Sequence, residues 1–144
     1  MKAITVLMVC LAAVALHPAF AQDTASELEA VKRVVEGTAS LTNAEKLEEL
    51  MALYADDAKV ESRTAGGIIS KAQLRENMKG FFARRAVNRV DVSSLKATLA
   101  DPTHATVDGV LYVHTASGNR AGGGQQWKLE KRDGQWLIVE SKYK

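Results

Sequence analysis

The sequence is poor in the residues that build covalent or metal frameworks. Its 144 residues include one cysteine and three histidines. A single cysteine excludes an intrachain disulfide framework, and so few thiol and imidazole groups argue against a dedicated zinc site. We therefore expect neither a metal nor another cofactor.

The sequence also lacks an excess of charge of one sign. Lys and Arg together number 19 and Asp and Glu 17, for a formal net charge of +2. A nucleic-acid-binding domain usually carries a concentrated basic excess, so no nucleic-acid partner is expected. Charged residues at 25% and hydrophobic residues at 47% are close to globular averages, and the length suits one domain.

The longest apolar run lies at the N-terminus. Lys2 precedes an uncharged segment, Ala3 to Leu16, and Ala19-Phe20-Ala21 has the small-x-small pattern of a signal peptidase site. The run is shorter than the roughly 18 residues that a membrane span needs. We expect a cleavable signal peptide over residues 1–21 and a periplasmic or secreted domain over residues 22–144, with no membrane association after cleavage.

Three segments carry helix-start signatures ahead of apolar residues at helical spacing. Thr24–Glu27, Thr42–Glu45 and Ser70–Gln73 each fit the capping box, in which two side chains satisfy free backbone N–H groups. The apolar spacing that follows predicts a first helix that ends at Gly37, a second with Tyr54 on its inner face, and a third after Ser70.

Farther along the chain the apolar residues alternate, which indicates strands. Val60 and Ser62 are predicted to face inward and Glu61 outward. The apolar phase shifts at Ser93-Ser94, as a β-bulge would produce. The segment 116–124, rich in Gly and small polar residues, is predicted to be a loop.

The last hairpin could turn over two residues or three. A three-residue turn, Arg132-Asp133-Gly134, sorts the polar and apolar residues better and is the one we predict. It places Trp136 and Ile138 on the outer face. The inner face then contains Gln125, Trp127, Leu129, Leu137, Val139, Ser141 and Tyr143.

Helices followed by a twisted sheet predict an α+β domain with the helices on one sheet face. Four segments in order resemble the NTF2-like superfamily, which includes SnoaL-like cyclases and ketosteroid isomerases: Leu50–Glu61, Ser70–Leu74, Ala105–Gly109 and Trp127–Trp136. The resemblance implies a cystatin-like cone, with three N-terminal helices packed on a strongly bent mixed or antiparallel sheet. It also implies an apolar pocket and a homodimer formed through the outer sheet face.

The catalytic positions that the resemblance implies are changed in this chain. The carboxylate base of the ketosteroid isomerases corresponds to Ser62, and their protonated aspartate corresponds to Gln125. Their helix-one tyrosine has no counterpart. A neutral amide is a weaker oxyanion stabiliser than a matched pair of donors. We therefore assign no catalytic residue.

The hypothesis we favour is a non-catalytic domain that binds a small apolar or amphipathic molecule. Its pocket residues would be Tyr54, Ser62, Gln125, Trp127, Ser141 and Tyr143. One alternative is a lyase or isomerase that uses Ser62, Gln125 or His114, and another is an interaction module whose pocket is filled by its own side chains. A cavity that reaches Ser62 and Gln125 would separate these readings.

Two surface features complete the expectations. An outer apolar patch of Trp136, Ile138, Val110 and Tyr112 would need covering, which motivates the homodimer. Basic residues concentrate between Ser62 and Arg89. We interpret them as solvated helix faces, with a funnel for anionic ligands formed by Arg63, Arg84, Arg85 and Arg89 as the alternative.

Overall fold

The computed structural model of the protein describes residues 19–85 and 87–144, with side chains from residue 23 onward except those of residues 87 and 88. The predicted signal peptide, residues 1–21, lies almost wholly outside the described residues, so its cleavage stays a prediction. No helix within the described ranges is long and apolar enough to cross a bilayer.

The described chain forms an α+β fold of helices on one mixed sheet, as predicted. Its elements are α1 (Ala19–Asn43), α2 (Leu47–Ala52), β1 (Tyr54–Ser62), β2 (Gly67–Ser70), α3 (Lys71–Arg84), β3 (Val87–Asp101), β4 (His104–Thr115), β5 (Arg120–Arg132) and β6 (Gln135–Tyr143). The strand order is β2-β1-β6-β5-β4-β3. Only the β1–β6 pair is parallel within this sheet.

The predicted end of the first helix at Gly37 is wrong, because the helix continues to Asn43. Burial outweighs the cost of a helical glycine here, because Val31 and Val35 are fully buried on the same helix. The missing side chain also makes room for the chain that follows α2. A Cβ on Gly37 would lie 3.1 Å from Leu53 Cδ1.

The predicted capping box at Thr42–Glu45 is also wrong. Thr42 lies inside α1, and its Oγ1 donates to the Thr38 carbonyl oxygen at 2.5 Å. The short α2 begins after Lys46 without a side-chain cap. Because α2 ends at Ala52, Tyr54 opens strand β1 instead of belonging to a helix.

Two local predictions are confirmed. Ser70 Oγ accepts from Gln73 N at 3.3 Å and Gln73 Oε1 accepts from Ser70 N at 2.9 Å, so α3 begins with the predicted capping box. The β3–β4 register shifts between Ser93 and Lys96, and Ser94 has a φ of 55°, so the predicted bulge is present.

The last hairpin contradicts the predicted turn. Arg132 pairs with Gln135, which leaves a two-residue Asp133-Gly134 turn with φ of 50° and 77°. The three-residue turn requires unbroken alternation along both strands, but the β5–β6 register shifts, since Leu129 pairs with Ile138 and Lys128 with Glu140.

The two-residue turn and the shift together change which side chains face inward. Trp136 and Ile138 are 6% and 0% exposed, so the predicted outer patch loses both of them. Val139 lies at the register shift and Leu137 is half-buried, and neither lines the cavity described below. Beyond the shift, Ser141 and Tyr143 do lie on the inner face, as predicted.

Part of the predicted loop 116–124 is strand. Gly122, Gly123 and Gly124 pair with Tyr112, Leu111 and Val110 of β4. Gly122 has a φ of 140°, and a Cβ there would lie 2.0 Å from the Leu111 carbonyl oxygen. Glycine is required because two backbones approach closely at this point.

Candidate functional site

A cavity of about 300 Å³ lies between the helices and the inner face of the sheet. All six residues that the sequence analysis assigned to a pocket line it: Tyr54, Ser62, Gln125, Trp127, Ser141 and Tyr143. The cavity therefore reaches both Ser62 and Gln125, the geometry that a binding pocket requires.

Strand pairing brings four of these side chains together. Gln125 is the register partner of Tyr143, and Trp127 that of Ser141, across the β5–β6 pair. Ser141 is also the partner of Val60 on the neighbouring strand β1. Because paired residues on adjacent strands point to the same sheet face, these residues form one continuous inner wall.

Helix α3 supplies the facing wall. Residues 3 or 4 positions apart share one face of a helix. Leu74, Asn77, Phe81 and Arg84 follow this spacing and all line the cavity. Arg84 belongs to the funnel for anionic ligands that the sequence offered as an alternative, whereas Asn77 was missed, although the same spacing identifies it.

The remaining walls are mostly apolar. The apolar and aromatic lining residues are Leu50, Tyr54, Val60, Ile69, Leu74, Met78, Phe81, Val90, Leu111, Val113, Trp127 and Tyr143. Predominantly apolar walls with a few placed polar groups are typical of small-molecule sites.

Gln125 is the most unusual polar group in the cavity. The residue is 6% exposed, and its Oε1 has no hydrogen-bond partner among the described residues. A buried polar atom left without a partner costs about 1–3 kcal/mol, so this oxygen is a candidate to accept a hydrogen bond from a bound molecule.

Two tyrosines flank this amide. Tyr54 is 9% exposed, and burial raises the pKa of its phenol, with nearby Tyr143 adding to the effect. Burial also raises the pKa of Tyr143; the Glu61 carboxylate acts in the same direction and the Arg63 guanidinium opposes it. Both phenols are therefore protonated at neutral pH and can donate hydrogen bonds.

The rim of the cavity contains Ser62 and Glu61. Ser62 Oγ accepts from the backbone N–H of Ala65 at 3.2 Å, which stabilises the turn after β1. Glu61, predicted to face outward, lines the cavity, and its Oε2 accepts from Tyr143 N at 2.7 Å. Glu61 differs from the predicted orientation because it lies at the end of β1, where the twist of the strand breaks the simple alternation of side chains.

Two arginines also line the cavity. The Arg63 guanidinium lies 3.9 Å from the centre of the Tyr143 ring, and its Nη1 donates to the Gly122 carbonyl oxygen at 3.5 Å. Arg84 stands at the end of α3, and both residues are exposed. Neither forms an ion pair with a described carboxylate. Arg85 and Arg89 line a separate pocket of about 80 Å³.

The two histidines that the structure describes lie away from the cavity. His114 Nε2 is 2.8 Å from Asp91 Oδ2, in a cluster on the outer sheet face, and His104 Nδ1 is 2.9 Å from Asp101 Oδ1 at a turn. Neither residue lines the cavity, so His114 is not placed for chemistry there. In the part of the chain that the structure describes, no three His, Cys, Asp or Glu side chains group as a metal site would need.

Known structures share this architecture. A protein of unknown function from Nostoc punctiforme, with a cystatin-like fold, is 20% identical, with a TM-score of 0.65 over 78% of this chain and 85% of that one. An NTF2-like protein with a cystatin-like fold from Novosphingobium aromaticivorans is 16% identical, with a TM-score of 0.68 over 89% and 88% of the two chains.

A third structure, an NTF2-like protein of unknown function from Shewanella oneidensis, is 14% identical, with a TM-score of 0.68 over 78% of this chain and 94% of that one. At these identities the comparisons show the fold alone, which is the NTF2-like fold that the resemblance implied. A comparison with curated proteins finds no match.

A family profile described as SnoaL-like domain matches residues 23–142, which is most of the chain. The match extends from α1 into β6 and includes residues of every strand of the sheet. The chain therefore belongs to the SnoaL-like domain family.

Proposed function

We propose that this protein is an exported, non-catalytic domain that binds a small apolar or amphipathic molecule in the cavity between α3 and the sheet. The proposal rests chiefly on a cavity of about 300 Å³ with apolar walls that reaches the unpartnered amide of Gln125. This volume is at the lower end of the range for small-molecule sites.

The lining residues favour binding over catalysis. Glu61 is the single carboxylate among them, and a backbone N–H already occupies its Oε2. General acid–base catalysis usually uses a His or a paired carboxylate whose pKa suits proton transfer, and the described lining contains neither. Ser62 and Gln125, at the positions of the isomerase base and acid, are suited to hydrogen bonding instead.

Ligand screening of the purified protein tests the proposal. Thermal shift and tryptophan fluorescence would be followed with sterols, polyketides, fatty acids and aromatic acids. Trp127 lines the cavity, whereas Trp136 is hydrogen-bonded to Glu27 outside it. A true ligand should therefore change fluorescence in the wild type but not in Trp127→Phe, while raising the melting temperature of both.

A pair of variants locates the binding. Val113 lines the cavity, whereas Ile68 on β2 is 61% exposed and does not line it. Val113→Phe should abolish the thermal shift and Ile68→Phe should preserve it. If both variants respond equally, or if no compound in the panel binds, the cavity is not a binding site.

We retain the homodimer as part of the proposal, on narrower grounds than the sequence suggested. Val110 and Tyr112 remain on the outer face, both half-buried. The Arg120 guanidinium already covers Tyr112, at 3.3 Å from the ring centre. Light scattering at micromolar concentration tests the homodimer, because a monomer under these conditions would contradict it.

Export is proposed on residues 1–21 alone. Expression of the full chain in a bacterium with a periplasm, followed by intact-mass measurement, should give a protein that begins at Gln22. Retention of residues 1–21 on a cytoplasmic product would contradict export.

A further inference from the structure

We propose that the cavity recognises a small aromatic acid with a hydroxyl group at the end opposite its carboxylate. This inference rests on the proposed binding function, because it names the class of ligand for the same cavity. It is carried by three separate features of the lining: its charge, the unpartnered amide and the aromatic walls.

The charge of the rim selects an anion. Among the charged lining residues that the structure describes, Arg63 and Arg84 outnumber the single carboxylate, Glu61. Glu61 keeps its negative charge, so the two arginines leave the described lining with an excess of one positive charge. Neither arginine has a carboxylate partner in the described chain. A planar guanidinium is well suited to pair with a carboxylate.

The interior of the cavity selects a hydroxyl group. The Gln125 side chain is 6% exposed, lines the cavity and leaves Oε1 without a partner. A hydroxyl group both donates and accepts, so it can pair with either end of the carboxamide. A purely apolar ligand would leave Gln125 Oε1 without a hydrogen-bond partner.

The distance between these two ends sets the length of the ligand. Arg63 Nη1 reaches the carbonyl oxygen of Gly122, and a Cβ on Gly123 would lie 3.9 Å from Arg63 Nη2. Gln125 follows two or three residues later on the same strand. At 3.3 Å per residue, carboxylate and hydroxyl groups should be about 7–10 Å apart.

The walls between the two ends suit a flat ring. Four aromatic side chains line the cavity: Tyr54, Phe81, Trp127 and Tyr143. Aromatic pairs gain energy from offset-stacked and edge-to-face contacts beyond the area they bury. A single ring with a short acid side chain fits this length and a volume of about 300 Å³.

Three matched probes test the class of ligand on the purified protein: 4-hydroxycinnamate, cinnamate, and methyl 4-hydroxycinnamate. The first has both recognised groups, the second lacks the hydroxyl, and the third lacks the charge. Calorimetry should show 4-hydroxycinnamate binding about 3- to 10-fold more tightly than either analogue. Its affinity should fall as salt is added, and that of the ester should not.

Variants assign each preference to its residues. Gln125→Leu should remove the difference between 4-hydroxycinnamate and cinnamate, while preference for the acid over the ester persists. The double variant Arg63→Met/Arg84→Met should show the converse. Arg85→Met is the matched control, because Arg85 follows Arg84 directly but does not line this cavity. Circular dichroism verifies that each variant is folded.

The outcomes separate this inference from the proposed function. Equal binding of all three probes, or preferences that survive both variants, would overturn the ligand class. If compounds of the wider panel bind and these three do not, the ligand class is wrong while cavity binding stands. If no compound binds at all, both proposals fail.

Discussion

Replacing Gln125 with leucine should make the ligand-free protein more stable. The side chain is 6% exposed, and its Oε1 has no hydrogen-bond partner among the described residues. An unsatisfied buried polar atom costs about 1–3 kcal/mol, whereas a leucine at the same place needs no partner. Because part of this cost is relieved where the side chain meets the cavity, we expect a gain of about 1–2 kcal/mol in the free energy of unfolding.

Urea denaturation followed by circular dichroism measures this gain. A gain in stability should raise the midpoint and leave the slope unchanged, since the surface exposed on unfolding hardly differs. The protein should be unfolded, dialysed and refolded first, because a retained ligand would stabilise the wild type alone.

Gln126→Leu is the matched control, with the opposite sign. Gln126 is the next residue on β5, and its Nε2 donates to Asp108 Oδ1 at 2.9 Å. Removing a satisfied hydrogen bond should cost about 0.5–1.5 kcal/mol. If Gln125→Leu lowers the midpoint as Gln126→Leu does, the Gln125 amide is satisfied in solution and the argument for a ligand hydroxyl there is refuted.

Three further predictions concern the fold around the cavity. Glu27→Ala should lower the free energy of unfolding by about 1–3 kcal/mol in urea denaturation, because it leaves the Nε1–H of the buried Trp136 without its acceptor at 2.5 Å. Gly122→Ala should lower the free energy of unfolding by about 1–3 kcal/mol because of the φ of 140° alone, and by more because the new Cβ would lie 2.0 Å from a carbonyl oxygen of β4. The control Gly67→Ala, with open space around its Cβ, should change the unfolding midpoint little. Burial raises the pKa of Tyr54 in the folded state, so the folded protein resists losing this proton. The contribution of Tyr54 to stability is therefore complete below the unfolded pKa, near 10, and is lost as the pH rises above that value. Above about pH 10 the wild type should lose about 1.4 kcal/mol more of its free energy of unfolding per pH unit than Tyr54→Phe, which urea denaturation at pH 9 and 11 measures.

Local chemistry decides the elements that the sequence predicts correctly. The capping box at Ser70 and Gln73 uses side chains three residues apart, and the bulge at Ser94 appears as a shift in apolar phase. Both signals lie within a few residues of the feature they predict. The same holds for strand β4, where Val107 is buried and Thr106 is half-buried, as alternation indicates.

Contacts between distant parts of the chain decide the elements that the sequence predicts wrongly. Gly37 is a helix-ending signal by itself, but packing of α1 against the sheet keeps the helix intact beyond it. Trp136 was assigned to the outer face, but its indole N–H reaches Glu27, more than a hundred residues away. No local pattern could have extended α1 past Gly37, whereas for Trp136 the two-residue turn was the local alternative that the structure adopts.

The candidate site also depends partly on local sequence and partly on tertiary contacts. The amino-acid sequence by itself determined the SnoaL-like pattern, the absence of the expected catalytic residues, and six side chains that line one cavity. Only the tertiary structure decided that this cavity is open, that the Gln125 oxygen lacks a partner, and that Arg63 and Arg84 face it while Arg85 does not. The physical reason is that residue type and spacing set which groups share a face, whereas hydrogen-bond satisfaction and cavity shape depend on the strands and helices that pack around them.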